Sequence, residues 1–521
     1  MIEFKNKQSL FLAKEMSIKC QNKQSLFLAK EMSIKCQNKQ SLFLAKEMSI
    51  KCQNKKIAVL GMGVSGVYAA RLLSNLDAVV LLSDSKKKEE LSNIGVGDYL
   101  GMVPGGVEME FGGHSDRVAE SDIIVVSPGV PLDIPILKKA KDSGVPIIGE
   151  LELAFYYIPV PIIAITGTNG KTTTTALIGK IFEADGWKVA VGGNIGQPLC
   201  SFINPDGSWT NTELVVSEVS SFQLETISKF KPKVATVLNI TEDHLDRYAK
   251  FEDYVEAKAR ILQNQTPEDF AILNRDCPRT FSLALGAKAR IIPFSRKCAL
   301  KEGVFIRDGQ IVARISGDDN FICNISDVRL EGVHNLENVL AAVASAIIFN
   351  VRTESILKIL KEFAGLEHRL EFVAEINGVK FIDDSKATNV DAVLRALEST
   401  GEPGGKQART IILIAGGRDK GGDYSILGPL LEDKVKYILL LGEAKNRIKK
   451  AIIDYNPQIV SRIKEVKDMK EAVGIANRLA TAGDSVLLSP ACSSFDMFKD
   501  YKERGRIFKD VVVELARHWA E

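Results

Sequence analysis

Short apolar runs alternate with helix-forming segments along most of the chain. The first run, KKIAVLG, passes through a glycine turn into the helix-forming VYAARLLSNL, and AVVLLSD, DIIVVSPGV and VPIIGE add further strand-like runs. Strands that alternate with helices in this way build parallel sheets. Residues 54–156 are therefore predicted to form one α/β domain, and YYIPVP is read as a linker.

Two more series of the same kind follow. PIIAIT leads through a glycine loop into a helix, and KVAVGG, ELVVSEVS and VATVLNI continue a second domain over 157–365. VKFIDDS, TIILIAGG, VKYILLLG and SVLLSP predict the strands of a third domain over 366–521. The fold class predicted is α/β with three serial domains: Rossmann-like, central phosphate-loop and again Rossmann-like.

The first 53 residues break the pattern. NKQSLFLAKEMSIKCQ occurs three times without change, at 6–21, 22–37 and 38–53. In a helix of ~100° per residue, each copy would be rotated by about 160°, so the apolar groups would not share one stripe. Residues 1–53 are predicted to be a loosely ordered tail, from a tandem duplication or a mis-set start. The alternative is an amphipathic anchor for a membrane or a partner.

Composition excludes several classes of protein. The 521 residues are 45% hydrophobic and 26% charged, values typical of a soluble globular protein, and no apolar run reaches the roughly 20 residues of a membrane span. The repeats contribute +6 to the net charge of +2, so the chain from residue 54 onward carries −4. This charge does not favour binding to nucleic acid. Eight scattered cysteines and no signal-peptide pattern predict a reduced, cytoplasmic protein without a zinc site.

The first glycine motif follows the first strand. Gly61, Gly63 and Gly66 have the GxGxxG spacing, and Asp84 follows about 20 residues later. Such glycines let a diphosphate approach a helix N-terminus. The motif leaves three interpretations open: NAD, another diphosphate ligand, or a tight turn without a ligand.

A second motif, GTNGKTT, lies between a strand and a helix. Its backbone N–H groups would cradle phosphates, Lys171 would neutralise them, and Thr172 or Thr173 would offer a hydroxyl to magnesium. Glu218 ends a strand further on, where nucleotide-hydrolysing enzymes hold their metal.

Polar clusters also mark later strand ends. NITEDHLDRY holds Asp243, His244, Asp246 and Arg247, which suggests a metal or phosphate site, and His368 lies beside Arg369. Further such residues are Asp384, Lys386, Thr388, Lys420, Ser494 and Tyr501. Since open α/β sheets bind ligands at the carboxyl ends of their strands, these clusters predict an anionic substrate in a cleft facing the phosphate loop.

Six motifs in order resemble the Mur ligase superfamily over residues 54–521: TGTNGKTT, SEVSSFQLE, NITEDHLDRY, GLEHRLE, DDSKATN and SPACSSFDMF. The last two are similar to its D-glutamate-adding branch. The resemblance implies that ATP phosphorylates the carboxylate of UDP-N-acetylmuramoyl-L-alanine and that D-glutamate displaces phosphate from the acyl phosphate. It further implies peptidoglycan synthesis, with roles in cell shape, division and the cell cycle, by a cytoplasmic monomer.

The resemblance also assigns residues. Those implied for ATP are Gly167, Thr168, Asn169, Gly170, Lys171, Thr172, Thr173, Asn338, Arg369, Asp384 and Lys386. Those implied for two magnesium ions are Thr172, Glu218, His244 and a carbamylated Lys258, with Lys171, His244 and Lys258 as catalytic. Those implied for the UDP substrate are Ser65, Asp84, Ser85, Lys86, Ser127 and Asn194, and those for D-glutamate are Thr388, Lys420, Ser494 and Tyr501.

Two positions depart from the family pattern. Tyr501 replaces a phenylalanine, which adds a hydroxyl, and Lys86 replaces an arginine, which removes a two-pronged donor. Three alternative functions remain: another amide ligase of the superfamily, an NAD-dependent oxidoreductase, and a non-catalytic nucleotide-binding scaffold.

Overall fold

The computed structural model describes residues 52–93, 97–244, 247–315, 317–330, 332–400, 409–419 and 421–520. The predicted tail lies outside these residues up to position 51. Cys52, the penultimate residue of the third repeat copy, is buried, and its Sγ lies 3.3 Å from the Tyr157 hydroxyl. None of the helices in these ranges combines the length and apolarity needed to cross a bilayer.

The first sheet has five parallel strands in the order β3-β2-β1-β4-β5. Its strands are β1 Lys56–Leu60, β2 Val79–Asp84, β3 Glu108–Phe111, β4 Ile123–Val126 and β5 Ile147–Gly149. Its helices are α1 Val64–Asn75, α2 Lys88–Asn93, α3 Gly97–Leu100, α4 Pro135–Asp142 and α5 Glu150–Phe155. Consecutive buried residues in β1 and β4 explain the unbroken apolar runs, since both faces of these strands are covered.

The second sheet has nine strands in the order β14-β13-β12-β11-β10-β9-β6-β8-β7. Its strands are β6 Ile162–Thr166, β7 Val189–Gly193, β8 Leu214–Glu218, β9 Val234–Val237, β10 Phe270–Asn274, β11 Arg290–Ser295, β12 Gly303–Arg307, β13 Gln310–Ile315 and β14 Asp318–Asn324. Its helices are α6 Lys171–Ala184, α7 Ser221–Leu224, α8 Phe251–Ala259, α9 Pro278–Ser282, α10 Val333–Ile348 and α11 Thr353–Glu362. The pairs β12–β13 and β13–β14 are antiparallel.

The third sheet has six strands in the order β15-β16-β20-β17-β18-β19, parallel except for the β15–β16 hairpin. Its strands are β15 Glu371–Ile376, β16 Val379–Asp383, β17 Ile411–Gly416, β18 Val435–Leu441, β19 Ile463–Glu465 and β20 Ser485–Leu488. Its helices are α12 Val390–Ser399, α13 Gly428–Lys434, α14 Lys445–Tyr455, α15 Met469–Leu479 and α16 Tyr501–Ala520. One apolar core lies on each face.

The predicted fold class is confirmed: three α/β sheets follow one another along the chain. These sheets are distributed over two compact units. The first comprises the described residues up to Ile162, with Lys188–Val215 and Thr226–Phe230. The second comprises Ile163–Trp187, Val216–Glu225 and the chain from Lys231 onward. The phosphate loop and the third sheet therefore belong to the same unit.

Candidate active site

The phosphate loop lies between β6 and α6. Gly167 and Gly170 have φ angles of 152° and 84°, and Gly170 is the residue that precedes α6. A Cβ on Gly170 would lie 2.1 Å from the Asn338 side-chain oxygen. Both the left-handed backbone and the lack of space require glycine at position 170.

The segment after β9 holds the loop in place. The Thr168 N–H donates to the Asn239 carbonyl at 2.9 Å, and the Asn169 N–H donates to Asn239 Oδ1 at 2.8 Å. Asn239 Nδ2 returns a bond to the Asn169 carbonyl at 3.1 Å. Asn239 was not singled out from the sequence, because nothing in NITEDHLDRY marks an asparagine as the partner of a distant loop.

Two lysines converge on one loop carbonyl. Lys171 Nζ donates to the carbonyls of Gly167 at 2.9 Å and Thr168 at 2.8 Å, and Lys258 Nζ donates to Gly167 at 2.8 Å. Lys258 is buried, and its Nζ lies 4.5 Å from the ring centre of Tyr254. Burial, and then repulsion by Lys171, lower the pKa of Lys258 well below its ordinary value.

The residues implied for magnesium lie around the start of α6. Glu218 is buried at the end of β8, and its charge raises the pKa of both Lys258 and Lys386 against the larger effect of burial. The Thr172 hydroxyl lies 2.7 Å from Lys386 Nζ. A carboxylate and a hydroxyl are oxygen donors of the kind magnesium prefers, so Glu218 and Thr172 fit such an ion; the His244 nitrogen is a less typical ligand.

The polar cluster after β9 divides into two parts. Asp243 Oδ2 accepts a bond from Asn389 Nδ2 at 2.9 Å and lies 3.8 Å from His244 Nε2. Arg247 instead forms an ion pair with Glu225 at 3.0 Å. Asp246 lies outside the described residues. Of this cluster, Asp243 contacts the residue that precedes α12, whereas His244 packs against Phe222, with ring centres 4.8 Å apart.

The strand ends of the third sheet line a narrow groove with the phosphate loop. Arg369 carries a buried Nε for which no hydrogen-bond partner is present among the described residues. Asp384 accepts from Ser489 Oγ at 2.8 Å, and burial raises its pKa to about 7. The cavity is lined by Asn169, Gly170, Asn239, His334, Asn338, Arg369, Leu370, Asp384, Ala392, Arg395 and Ala396.

The space inside this groove is small. Its volume is about 20 Å³, which is room for about one water molecule. Asn338 is held in it by bonds with Thr174 Oγ1 at 3.2 Å and Asn335 Oδ1 at 3.0 Å. A nucleotide base enters here only if side chains move.

The structure describes three of the four residues implied for D-glutamate. Tyr501 begins α16, and its ring centre lies 5.4 Å from Lys386 Nζ. Burial raises the pKa of the Tyr501 hydroxyl, which is therefore protonated at neutral pH. Ser494 is buried and Thr388 is half-buried, whereas Lys420 lies outside the described residues.

A buried arginine, which the sequence did not reveal, supports these strand ends. Arg504 donates from Nε to Ser385 Oγ at 3.0 Å, from Nη2 to the Ser385 carbonyl at 2.7 Å, and from Nη1 to the Cys492 carbonyl at 3.2 Å. It thereby links the loops after β16 and β20, which carry Lys386 and Ser494. The sequence offers one indication of this role, which is that Arg504 lies in the first turn of α16.

A second support lies beside Arg369. His368 Nδ1 and Asp383 Oδ2 are 2.6 Å apart, and the His368 N–H donates to Glu371 Oε2 at 2.8 Å. Lys509 neutralises Glu371 at 3.1 Å. His368, Glu371 and Asp383 therefore have local partners. Since His368 precedes Arg369 and Asp383 precedes Asp384, these contacts help to position Arg369 and Asp384.

A separate cavity of about 690 Å³ lies in the first unit. Ser65, Ser85, Lys86 and Ser127 line it, together with Asp84, whose carboxylate accepts bonds from the N–H groups of Met62 at 2.7 Å and Lys86 at 2.9 Å. Asn194 is exposed after β7 and is not among its described lining residues. The cavity has the size of a drug-sized ligand site.

The glycine turn forms the floor of this cavity. Ser127 Oγ donates to the Gly61 carbonyl at 2.9 Å, and a Cβ on Gly66 would lie 1.9 Å from the same oxygen. Gly66 is therefore required for the close packing of α1 against β1.

Three family models match the chain in order. They are the Mur ligase MurD-like N-terminal domain at residues 55–149, the Mur ligase middle domain at 165–346, and the Mur ligase glutamate ligase domain at 368–492. The UDP-N-acetylmuramoylalanine–D-glutamate ligase of Pelotomaculum thermopropionicum is 46% identical over 463 residues, 89% of this chain and 98% of its own. The ligase of the same name from Geotalea daltonii is also 46% identical, over 88% and 98%.

Solved structures show the same fold at lower identity. A UDP-N-acetylmuramate–alanine ligase of Thermotoga maritima has a TM-score of 0.55 at 18% identity, over 88% of this chain and all of its own. A pseudomurein peptide ligase type C of Methanothermus fervidus has a TM-score of 0.54 at 18% identity, over 89% and 100%.

Proposed function

The chain belongs to the Mur ligase family, and from this premise we propose that it joins D-glutamate to UDP-N-acetylmuramoyl-L-alanine, with ATP, in peptidoglycan precursor synthesis. The observation that carries the proposal is the similarity to D-glutamate ligases at 46% identity over 98% of their length. The phosphate loop, with Lys171 and Lys258 on one carbonyl and Lys386 at Thr172, provides a site suited to phosphoryl transfer.

The proposed reaction has two steps. A carboxylate oxygen of the alanine attacks the γ-phosphorus of ATP, so that ADP leaves and an acyl phosphate forms. The amine of D-glutamate then attacks the acyl carbon, phosphate leaves, and the amine gives up a proton. Activation as an acyl phosphate supplies the leaving group that a free carboxylate lacks.

The cations around the loop would hold the phosphates. Lys171 would exchange its bonds to the Gly167 and Thr168 carbonyls for bonds to ATP, and the buried Arg369 Nε would gain an acceptor. Asn338 would contact the adenine and Asp384 the ribose. The loop residues Gly167–Thr173 would supply backbone N–H groups.

Magnesium would be held by Thr172, Glu218 and His244, and would neutralise charge that develops on the phosphoryl oxygens. We further propose that Lys258 is carbamylated. Its lowered pKa favours the uncharged amine that reacts with carbon dioxide, and the product is an anion, which suits a magnesium site better than an ammonium group does.

The substrates would be held by the following residues. The residues proposed for the UDP moiety are Ser65, Asp84, Ser85 and Lys86, those for the muramoyl-alanine part Ser127 and Asn194, and those for D-glutamate Thr388, Lys420, Ser494 and Tyr501. The domain limits proposed remain 54–156, 157–365 and 366–521. A cytoplasmic monomer acting in cell-wall growth and division completes the proposal.

A phosphate-release assay tests this function. We expect release by the full chain only when UDP-N-acetylmuramoyl-L-alanine, D-glutamate and ATP are all present. Activity with a different amino acid and none with D-glutamate would assign the chain to another ligase branch, and tight NAD binding without phosphate release would favour an oxidoreductase. Lys171→Ala should abolish release, whereas unchanged release would contradict the proposed role of the loop.

A further inference from the structure

His114 lies in the cavity of the first unit and has no role in any of the proposals above. Its ring lines the cavity beside Asp84, Ser85 and Lys86. It follows β3, four residues after Glu110, in the loop EFGGHSD. Its hydrogen-bond partners make it possible to infer which ring nitrogen faces a ligand.

The Ser83 hydroxyl fixes the orientation of the ring. Ser83 is fully buried, and its Oγ lies 2.8 Å from His114 Nδ1, 2.8 Å from Glu110 Oε2 and 3.1 Å from the Gly113 carbonyl oxygen. A carboxylate and a carbonyl only accept hydrogen bonds, and a serine hydroxyl has one hydrogen to donate. Ser83 therefore donates to one of those oxygens and accepts from His114, which places the hydrogen of the ring on Nδ1.

The charge state of both groups agrees with this arrangement. Burial raises the pKa of Glu110, but bonds from Ser115 and Ser83 outweigh it and hold the pKa below its usual value, so the carboxylate is ionised. Burial lowers the pKa of His114 against the opposing charges of Asp84 and Glu110, so the ring is neutral at neutral pH. A neutral ring with its hydrogen on Nδ1 offers a lone pair on Nε2.

We propose that His114 is a recognition residue whose Nε2 accepts a hydrogen bond from the uridine of the substrate. The donor is either the imide N–H of the base or a ribose hydroxyl, the donor groups that a uridine has. This inference rests on the proposed function, because it places a uridine nucleotide in the cavity.

Two substitutions separate recognition from a merely structural role. His114→Gln keeps an acceptor near the position of Nε2 and loses the Nδ1 donor, whereas His114→Asn keeps a donor near Nδ1 and loses the Nε2 acceptor. We expect His114→Asn to raise KM for the UDP substrate about two- to tenfold, the range of one neutral hydrogen bond, and His114→Gln to stay near wild type. KM for ATP and for D-glutamate should not change in either variant.

The opposite order, with His114→Gln impaired and His114→Asn normal, would show that the bond to Ser83 is what matters and would overturn the proposal. An unchanged KM in both variants would overturn it as well. Phosphate release by the wild type in the same assay keeps these results distinct from a failure of the proposed function, in which the wild type itself would be inactive.

Titration of the full-length wild type and His114→Asn with UDP and with CDP identifies the donor. Cytosine lacks the imide N–H at N3, so a bond from that group predicts that wild type prefers UDP and that His114→Asn loses the preference. A bond from the ribose predicts equal weakening for both nucleotides. Wild-type affinity of His114→Asn for both would contradict the inference.

Discussion

Lys171 and Lys258 both reach the Gly167 carbonyl, and two ammonium groups so close together repel one another. Lys258 is buried, and burial followed by repulsion from Lys171 lowers its pKa well below the ordinary value. An amine reacts with carbon dioxide only in its uncharged form, so the lowered pKa of Lys258 favours the form that the proposed carbamylation requires.

We therefore expect a carbamate signal from Lys258 in carbon-13 NMR of the protein in labelled bicarbonate at about pH 8, where exposed lysines with pKa values of about 10.4 stay charged. Lys258→Met should lose the signal. Lys180→Met, which removes an exposed lysine, is the matched control and should keep it. A signal that survives in Lys258→Met would place the carbamate on another residue.

Asp384 is a second residue whose shifted pKa can be tested. Its pKa of about 7 in the folded protein exceeds the unfolded value of about 3.9, so the folded state binds the extra proton between these pH values and the free energy of unfolding falls as pH rises through this window. Urea unfolding of Asp384→Asn should show a pH dependence smaller by about 2–4 kcal/mol, at about 1.4 kcal/mol per pKa unit. Identical pH dependence in both proteins would refute the raised pKa.

At the scale of elements, the sequence predicted those features that a local pattern encodes. Unbroken apolar runs identified β1, β4, β6 and β17, and the glycine loop identified the start of α6. The short β3 was missed because its residues are exposed or half-buried and form no apolar run.

The supports of the candidate site were missed for a different reason. Arg504 binds Ser385 across 119 positions of sequence, and Asn169 binds Asn239 across 70. No periodicity or spacing reports such contacts, since they depend on how the loops fold against one another. The resemblance identified residues that are expected to contact ligands, but it did not identify the residues that hold those side chains in place.

Gly170 is a position of the phosphate loop that has no space for a side chain. Gly170→Ala should cost about 1–2 kcal/mol in backbone strain, displace Asn338 and raise KM for ATP. Gly186→Ala is the control: φ is +95° there, but a Cβ would meet no atom within 4 Å. Calorimetry should show the larger loss of Tm in Gly170→Ala, because only that variant adds a clash to the backbone strain, and the rise in KM should be confined to Gly170→Ala.

Arg504 in α16 provides the second test at this scale. Arg504→Lys keeps the charge but cannot reproduce three bonds to two loops, so we expect a loss of about 2–3 kcal/mol in the free energy of unfolding. Arg506→Lys, on the same helix with a largely exposed side chain, should be neutral. Equal urea midpoints for the two variants would show that Arg504 contributes no more than a surface residue.

At the scale of the whole molecule, we expect the triple repeat to be separable from the rest of the chain. Every motif assigned to the reaction lies after residue 54, and the aligned relatives cover 89% of this chain. Removal of residues 1–51 should leave kcat and all KM values unchanged in the phosphate-release assay. Removal of 1–53 also takes Cys52 from its buried place beside Tyr157 and should lower Tm. A loss of activity in the shorter deletion would give the repeats a function.

The large cavity of the first unit has a practical consequence for inhibitor discovery. The groove at the phosphate loop has about 20 Å³ of free space, whereas the first unit offers about 690 Å³ around Asp84 and His114. If the UDP substrate binds there as proposed, a compound that fills the larger space would compete with that substrate. It would avoid the ATP mimicry through which many inhibitors lose selectivity against other ATP-using enzymes. Screening by displacement of UDP would direct chemistry to that surface.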